Sequence, residues 1–285
     1  MPAEGGQIRP VWSGVSFLRK KRKDRMTPNT ALQQLRNQSP LVHCITNYVA
    51  MNIAANVTLA VGASPAMIHA TEEVADFAKM SSALTINIGT LSAPWVESMK
   101  AAATAAHGAD VPWVLDPVAH FATPYRAQVA LELLALKPTI VRGNASEIIA
   151  LVGDEGSGKG ADSGNSVDDA QNSAIALAAR HNCVVAVSGV VDFITDGTRN
   201  ARITGGSDLM PSVTALGCSL TAVVGAYAAV APPLEAAVAA FVHFAHAGEV
   251  AHAHASGPGS FSVAFLDALQ GIEPNDLLET HVSWH

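Results

Sequence analysis

Residues 139–153 read TIVRGNASEIIALVG. TIVRGN is a strand-like apolar run that turns polar at Arg142 and Asn144. ASEIIALVG follows without a linker and reads as a helix, with Asn144 at its cap and Glu147 three residues on. That is the spacing of a capping box. A strand that feeds directly into a helix is the unit from which a parallel sheet covered on both faces is built.

The same alternation runs outward in both directions. Upstream, PLVHCIT (40–46) reads as a strand and YVAMNIAANVTLAVG as a helix stopped by Gly62. SPAMI is a short strand, and TEEVADFAKM a helix with Thr71 as its expected N-cap. ALTINIG and PWVLDP (112–117) are strands, each followed by a helix, APWVESMKAAATAAHG and TPYRAQVALELLAL, with Pro124 in the first turn of the latter. Downstream, DEGSGKGADSGNSVDD is a loop rich in Gly, Ser and Asp, expected to be mobile. AQNSAIALAARH is a helix, CVVAVSG a strand, and VDFITDG with RNARITGG a hairpin about its DGT turn. Helices over 217–230, 233–255 and from near Pro258 close the chain. The expected fold is α/β, one domain over residues 39–285, with a mostly parallel sheet and no internal repeat.

Composition supports a single large core. Of 285 residues, 49% are hydrophobic, 14% charged and only 5% aromatic. No apolar run has the length and composition of a membrane span. The formal charge is −7, yet the first 25 residues carry seven bases against Glu4 and Asp24. Residues 1–38 are therefore expected to be a basic, disordered extension. The body is acidic, which argues against a nucleic-acid partner. No apolar stretch accompanies the basic run, so a secretory signal is not expected. Cys44, Cys183 and Cys218 are odd in number and widely spaced, without a CxxC. They suggest neither a disulfide framework nor a zinc site, and fit a reducing, cytoplasmic setting. His243, His246, His252 and His254 do not share one helix face, and read as polar surface rather than as a metal site.

In a parallel sheet, ligands gather at the carboxyl ends of the strands. Those ends are Thr46-Asn47, Asn87-Ile88-Gly89-Thr90, Asp116-Pro117, Arg142-Gly143-Asn144 and Ser188-Gly189. Arg142 offers a fork of donors that suits phosphate oxygens. Glu147 either closes a capping box or holds water around Mg²⁺, with Asp116 as a second carboxylate. There is no GxxxxGK[ST], so a P-loop is excluded, and GSGKGADSG (156–164) reads more as a linker than as a phosphate loop. Cys218, in ALGCS, stands at a helix N-terminus. There the unpaired N–H groups favour an anion, and would lower a thiol's pKa from about 8.5. The alternatives are a proton acceptor for a substrate hydroxyl and a small buried hydrophobe.

Taken together, SPLVHCITN, NVTLAVGASPAM, EEVADFAKMSSALTINIGTL, LDPV, KPTIVRGNASEI, GKGADS, VSGVVDFITDG, GCSLTAVVGA and GPGSF resemble the hydroxyethylthiazole kinase family of the ribokinase-like superfamily. They occur in family order over about residues 39–270. The resemblance implies a three-layer α/β/α fold. It implies transfer of phosphate from ATP, with Mg²⁺, to the primary hydroxyl of 4-methyl-5-(2-hydroxyethyl)thiazole in thiamine salvage. It also implies a homotrimer with active sites between subunits. By this resemblance Met67, Asn47 and Ala215 border the thiazole, and Arg142, Ser188 and Asn144 contact ATP. Asn144 and Glu147 match an N-x-x-E magnesium motif, with Asp116 nearby. Cys218 stands where most superfamily relatives carry an aspartate base. The chain departs from the family pattern at Ala215, where glycine is usual and a Cβ tolerates some backbone angles poorly. Leu216, His120 and Phe121 are bulkier than usual. The alternatives are another ribokinase-like kinase, a catalytically impaired nucleotide-binding homologue, and a redox role for Cys218.

Overall fold

Apolar residues alternate between the two faces of the strands, and this alternation sets the architecture. In β5 (Ile140–Asn144), Ile140 enters one core layer and Val141 the other. In β6 (Val184–Ser188), Val184 and Ala186 point one way, Val185 and Val187 the other. A sheet buried on both faces needs helices on both. The computed structural model describes residues 25–153 and 166–285. It contains β1 (Leu41–Ile45), β2 (Ser64–Ala66), β3 (Ala83–Asn87), β4 (Trp113–Asp116), β7 (Asp192–Thr195), β8 (Asn200–Ile203) and β9 (Val282–Trp284) beside the two strands already named. They form one sheet in the order β2-β1-β3-β4-β5-β6-β7-β8-β9. The first six in that order are parallel. The β6–β7, β7–β8 and β8–β9 pairs are antiparallel.

One layer holds α1 (Pro28–Gln38), α2 (Met51–Val61), α8 (Leu216–Ala228), α9 (Pro233–His254) and α10 (Pro258–Gly271). The other holds α3 (Val74–Met80), α4 (Ala93–Gly108), α5 (Pro124–Leu134), α6 (Ala145–Val152) and α7 (Val167–His181). The layers are thin where small residues meet. A Cβ on Gly225 of α8 would lie 2.3 Å from Thr85 Cγ2 on β3, so only glycine allows that approach.

Several expectations are corrected. The stretch assigned to a disordered extension is helical over Pro28–Gln38, and Ala31, Leu32 and Leu35 are fully buried. Their spacing puts three apolar residues on one helical face. Residues 1–24 lie outside the described residues, as do residues 154–165 of the loop expected to be mobile. Thr71 does not cap α3, which starts three residues later; its hydroxyl lies 3.0 Å from Ser98 Oγ instead. Ser166 caps α7 in a reciprocal box with Asp169, so that helix begins earlier than expected. His243 is not on the surface. It is fully buried, with Nδ1 2.9 Å from the Tyr227 hydroxyl and Nε2 3.0 Å from the Leu269 carbonyl. Strand β9 was not expected. Among the described residues no helix is long and apolar enough to cross a membrane.

Candidate active site

The strand ends meet through a buried chain of hydrogen bonds. Parallel register sets Asn87 beside Asp116 and Asn144 beside Ser188. Asn47 Nδ2 donates to Asn87 Oδ1 at 2.8 Å, and Asn87 Nδ2 donates to Asp116 Oδ2 at 2.7 Å. From α8, the Thr221 hydroxyl donates to the same Asp116 oxygen at 2.7 Å. Arg142 Nη1 lies 3.6 Å from it. Asp116 Oδ1 is buried and has no hydrogen-bond partner. Burial pushes the Asp116 carboxyl up to about 7; the Arg142 charge opposes the rise and the Glu147 carboxylate adds to it. Such a displaced acid is more common at functional sites than elsewhere.

The next strand end brings Arg142, Asn144 and Glu147. Arg142 Nη2 donates to Ser188 Oγ at 2.7 Å, so two of the three residues expected to contact ATP are paired. The capping box is formed: Asn144 Oδ1 accepts the Glu147 N–H at 2.9 Å, and Glu147 Oε2 accepts the Asn144 N–H at 2.8 Å. Glu147 Oε1 also accepts the Ala119 N–H at 2.9 Å. Each carboxylate oxygen has two lone pairs, so capping leaves acceptor capacity for water. Asp116, Arg142, Glu147, Ala215, Gly217 and Cys218 all line one cavity of about 330 Å³. An unpartnered carboxylate oxygen and a second carboxylate on the same cavity fit a hydrated divalent cation. Next to it, Arg142, Asn144, Ser188 and Gly189 share a cavity of about 700 Å³ with Phe241 and Phe244.

Helix α8 points its first turn into this region. Its cap, Ala215, has φ 60° and ψ 12°, the left-handed conformation that the sequence flagged. Gly217 leaves the space next to Arg142 open. Cys218 is partly buried and free of any disulfide. Its thiol faces the side chains of Asn87 and Asn47. The expectation of a lowered thiol pKa is overturned. Burial raises it, and the Asp116 carboxylate raises it further; Asn87, Arg142 and Asn47 only partly offset this.

Met67, half-buried just after β2, packs against the α8 layer and is not among the residues lining the Cys218 cavity. The GSGKGADSG stretch lies outside the described residues. In the loop after β4, His120 is fully buried with Nδ1 3.2 Å from the Pro117 carbonyl, while Phe121 is exposed. The constrained residue there is Ala119, at φ 47°. Arg126, unflagged in the sequence, donates to the carbonyls of Ile88, Val118 and Gly89, tying the loops after β3 and β4 together. Thr221 also escaped notice, although three residues after Cys218 put it on the same helix face. Asp192 is a third addition. It accepts the Gly189 N–H at 2.9 Å, and burial pushes its carboxyl up to about 7.

Solved structures share this fold. The fold is similar to an ADP complex of Bacillus subtilis pyridoxal kinase, with a TM-score of 0.57 and 19% identity, covering 73% of this chain and 90% of that one. The class is thus the ribokinase-like α/β/α fold. The hydroxyethylthiazole kinase structure from Pyrococcus horikoshii OT3 is much nearer, with a TM-score of 0.84 and 40% identity over 90% of this chain and 98% of that chain. Hydroxyethylthiazole kinase of Roseobacter denitrificans is 61% identical over 254 residues, 89% of this chain and 99% of the relative. That of Rhizobium johnstonii is 62% identical over 255 residues, 89% of this chain and 96% of the relative. The model of the hydroxyethylthiazole kinase family matches residues 32–275. The chain belongs to the hydroxyethylthiazole kinase family.

Proposed function

We propose that the protein transfers the γ-phosphoryl group of ATP to the primary hydroxyl of 4-methyl-5-(2-hydroxyethyl)thiazole, a step of thiamine salvage. The observation that carries this reading is the cavity where Asp116, Arg142, Glu147 and Cys218 converge below the first turn of α8. ATP extends from the larger cavity, with its adenine end toward Phe241 and Phe244 and its phosphates toward Arg142 and Ser188. Asn144, at the end of the strand that carries Arg142 and at the cap of α6, contacts the phosphates beside it. Mg²⁺, held through water by Glu147 and Asp116, would neutralise phosphate charge. The free N–H groups of α8 face the moving phosphoryl group, where a fixed dipole stabilises developing charge without reorganisation. Cys218 sits against the substrate hydroxyl. With its thiol kept protonated by burial, it orients that hydroxyl more than it deprotonates it. A loose phosphoryl-transfer transition state asks little of a base.

Asn47, Met67 and Ala215 border the thiazole. Tyr48 and Val49, next to Asn47, are exposed apolar side chains, which supports a homotrimer whose sites lie between subunits. The kinase unit begins ahead of α1, with the basic stretch before Arg25 appended to it. Cys44 and Cys218 form no disulfide, which supports a cytoplasmic setting. The left-handed Ala215 favours one second reading, a homologue that binds nucleotide but turns over poorly.

The test is ADP release by the purified chain with Mg-ATP, with and without the thiazole. Strong thiazole-dependent release is expected. ATP binding with no thiazole-dependent release would favour the second reading. Release driven by a pyrimidine or pyridoxal alcohol instead would overturn the substrate assignment.

A further inference from the structure

A second group of ligand-bearing side chains lies where α9 meets the segment leading into β9. His246 and Glu249 are one turn apart on α9, and His281 precedes Val282. Glu249 Oε2 is 3.5 Å from His246 Nδ1 and 3.7 Å from His281 Nε2. The ring centroids are 5.9 Å apart. One ligand atom from each residue lies within 4.8 Å of the others, and all three residues are partly buried. His246 Nδ1 is buried and makes no hydrogen bond.

We propose that His246, Glu249 and His281 form a site for a borderline divalent transition metal such as Zn²⁺, with the fourth position open to water. Two donors bound to tetrahedral zinc at about 2.0–2.1 Å stand roughly 3.3–3.4 Å apart. The two separations from Glu249 are within a few tenths of an ångström of that edge. The two imidazole nitrogens lie within 4.8 Å of each other, and side-chain rotation on binding closes that third edge. Two imidazoles with one carboxylate are a zinc donor set, whereas Mg²⁺ prefers oxygen ligands alone. The site is therefore chemically distinct from the Asp116 and Glu147 pair.

The surroundings are pinned. The His281 carbonyl accepts the Thr204 N–H at 3.1 Å. Gly205, at φ 118°, has no room for a side chain: a Cβ there would lie 2.8 Å from Glu249 Oε1 and 3.3 Å from His281 Nδ1. Gly205 also lines the larger cavity beside Arg142 and Ser188. A bound ion would thus fasten α9, the Thr204-Gly205 turn and the β9 segment together at the wall of that cavity. The proposal stands whether or not the cavity takes ATP.

The full chain, stripped of metal and nucleotide, is titrated with Co²⁺ and followed by its visible spectrum; Zn²⁺ is then added in competition. One equivalent per chain is expected, with the intense bands of four-coordinate cobalt, displaced by Zn²⁺ and not by excess Mg²⁺. Losing one ligand in Glu249→Gln or His246→Ala is expected to weaken binding about 100-fold or more, since loss of even an outer-shell partner weakens metal sites about 10- to 100-fold. His254→Ala, at the exposed end of α9, is expected to bind as the parent does. Zn²⁺ should raise the thermal midpoint of the parent and not of Glu249→Gln. No saturable cobalt spectrum, or equal affinity in the parent and both ligand variants, would overturn the proposal.

Discussion

Ala215 carries a backbone conformation suited to glycine, at the point where α8 begins. For an alanine this region costs about 1–2 kcal/mol. Ala215→Gly relieves that strain but loosens the unfolded chain by roughly 0.4–1 kcal/mol. The variant should gain about 0.5–1 kcal/mol of stability, read as the midpoint of a urea melt; a loss of stability would refute the strain. Cys218→Ala should lower kcat about 10- to 100-fold, at or below the low end of what general bases contribute. Its KM for the thiazole should stay close to the parent's. Steady-state kinetics decide this: an unchanged kcat or a complete loss of activity would each contradict a positioning thiol. Asp116, Arg142, Asn144, Glu147 and Cys218 were legible because each ends a strand or starts a helix, and chain order alone puts such residues together. Thr221 and Arg126 were not, since Thr221 reaches Asp116 across 105 residues and Arg126 binds carbonyls of two other loops. The thiol pKa was misjudged for the same reason. The helix end is local and visible, but the burial that raises the thiol, and the Asp116 carboxylate on β4 that adds to it, come from tertiary packing.

Helix α8 lies against the sheet through Gly225, and this contact sets how deep its first turn sits. Gly225→Ala puts a Cβ against Thr85. Overpacking of this kind costs about 1–3 kcal/mol, and the shift should reach the α8 end and reduce activity. Thr85→Ser removes the Cγ2 that clashes, so the double variant should recover much of the loss. A double-mutant cycle with no coupling would show that α8 does not rest there. Long elements with clear periodicity, such as α4 and α5, could be read from the chain. Helix α1 was hidden by the basic run before it, although Leu32 and Leu35 are as buried as any core residue. Strand β9 has only three residues, too few to display an alternating pattern.

At the scale of the molecule, the buried acids and buried bases among the described residues pull stability in opposite directions as pH changes. Asp116 and Asp192, both near 7 when folded, keep protons that the unfolded chain gives up above about 4. They make stability fall as pH rises from about 4 to about 7. Burial lowers His43 to about 4 and His243 to about 3, and lowers His69 as well. The unfolded chain protonates these below about 6.5, so they make stability fall as pH drops from there. The two trends oppose each other, and the midpoint should change little between about pH 4.5 and about pH 6.5. Asp116→Asn removes one acid from the balance. Its midpoint should then climb with pH across that window, and thermal melts that run parallel to those of the parent would refute the assignment.

Both margins of the sheet are three residues long, β2 with Pro65 at its centre and β9 stitched to β8 down to the pair between Asn200 and His285. Margins so short offer a neighbouring molecule almost no ladder to extend. The C-terminal strand therefore also shields the sheet edge from strand-to-strand pairing with another molecule: peeled away, it would uncover four residues of β8 as a template on which copies could polymerise.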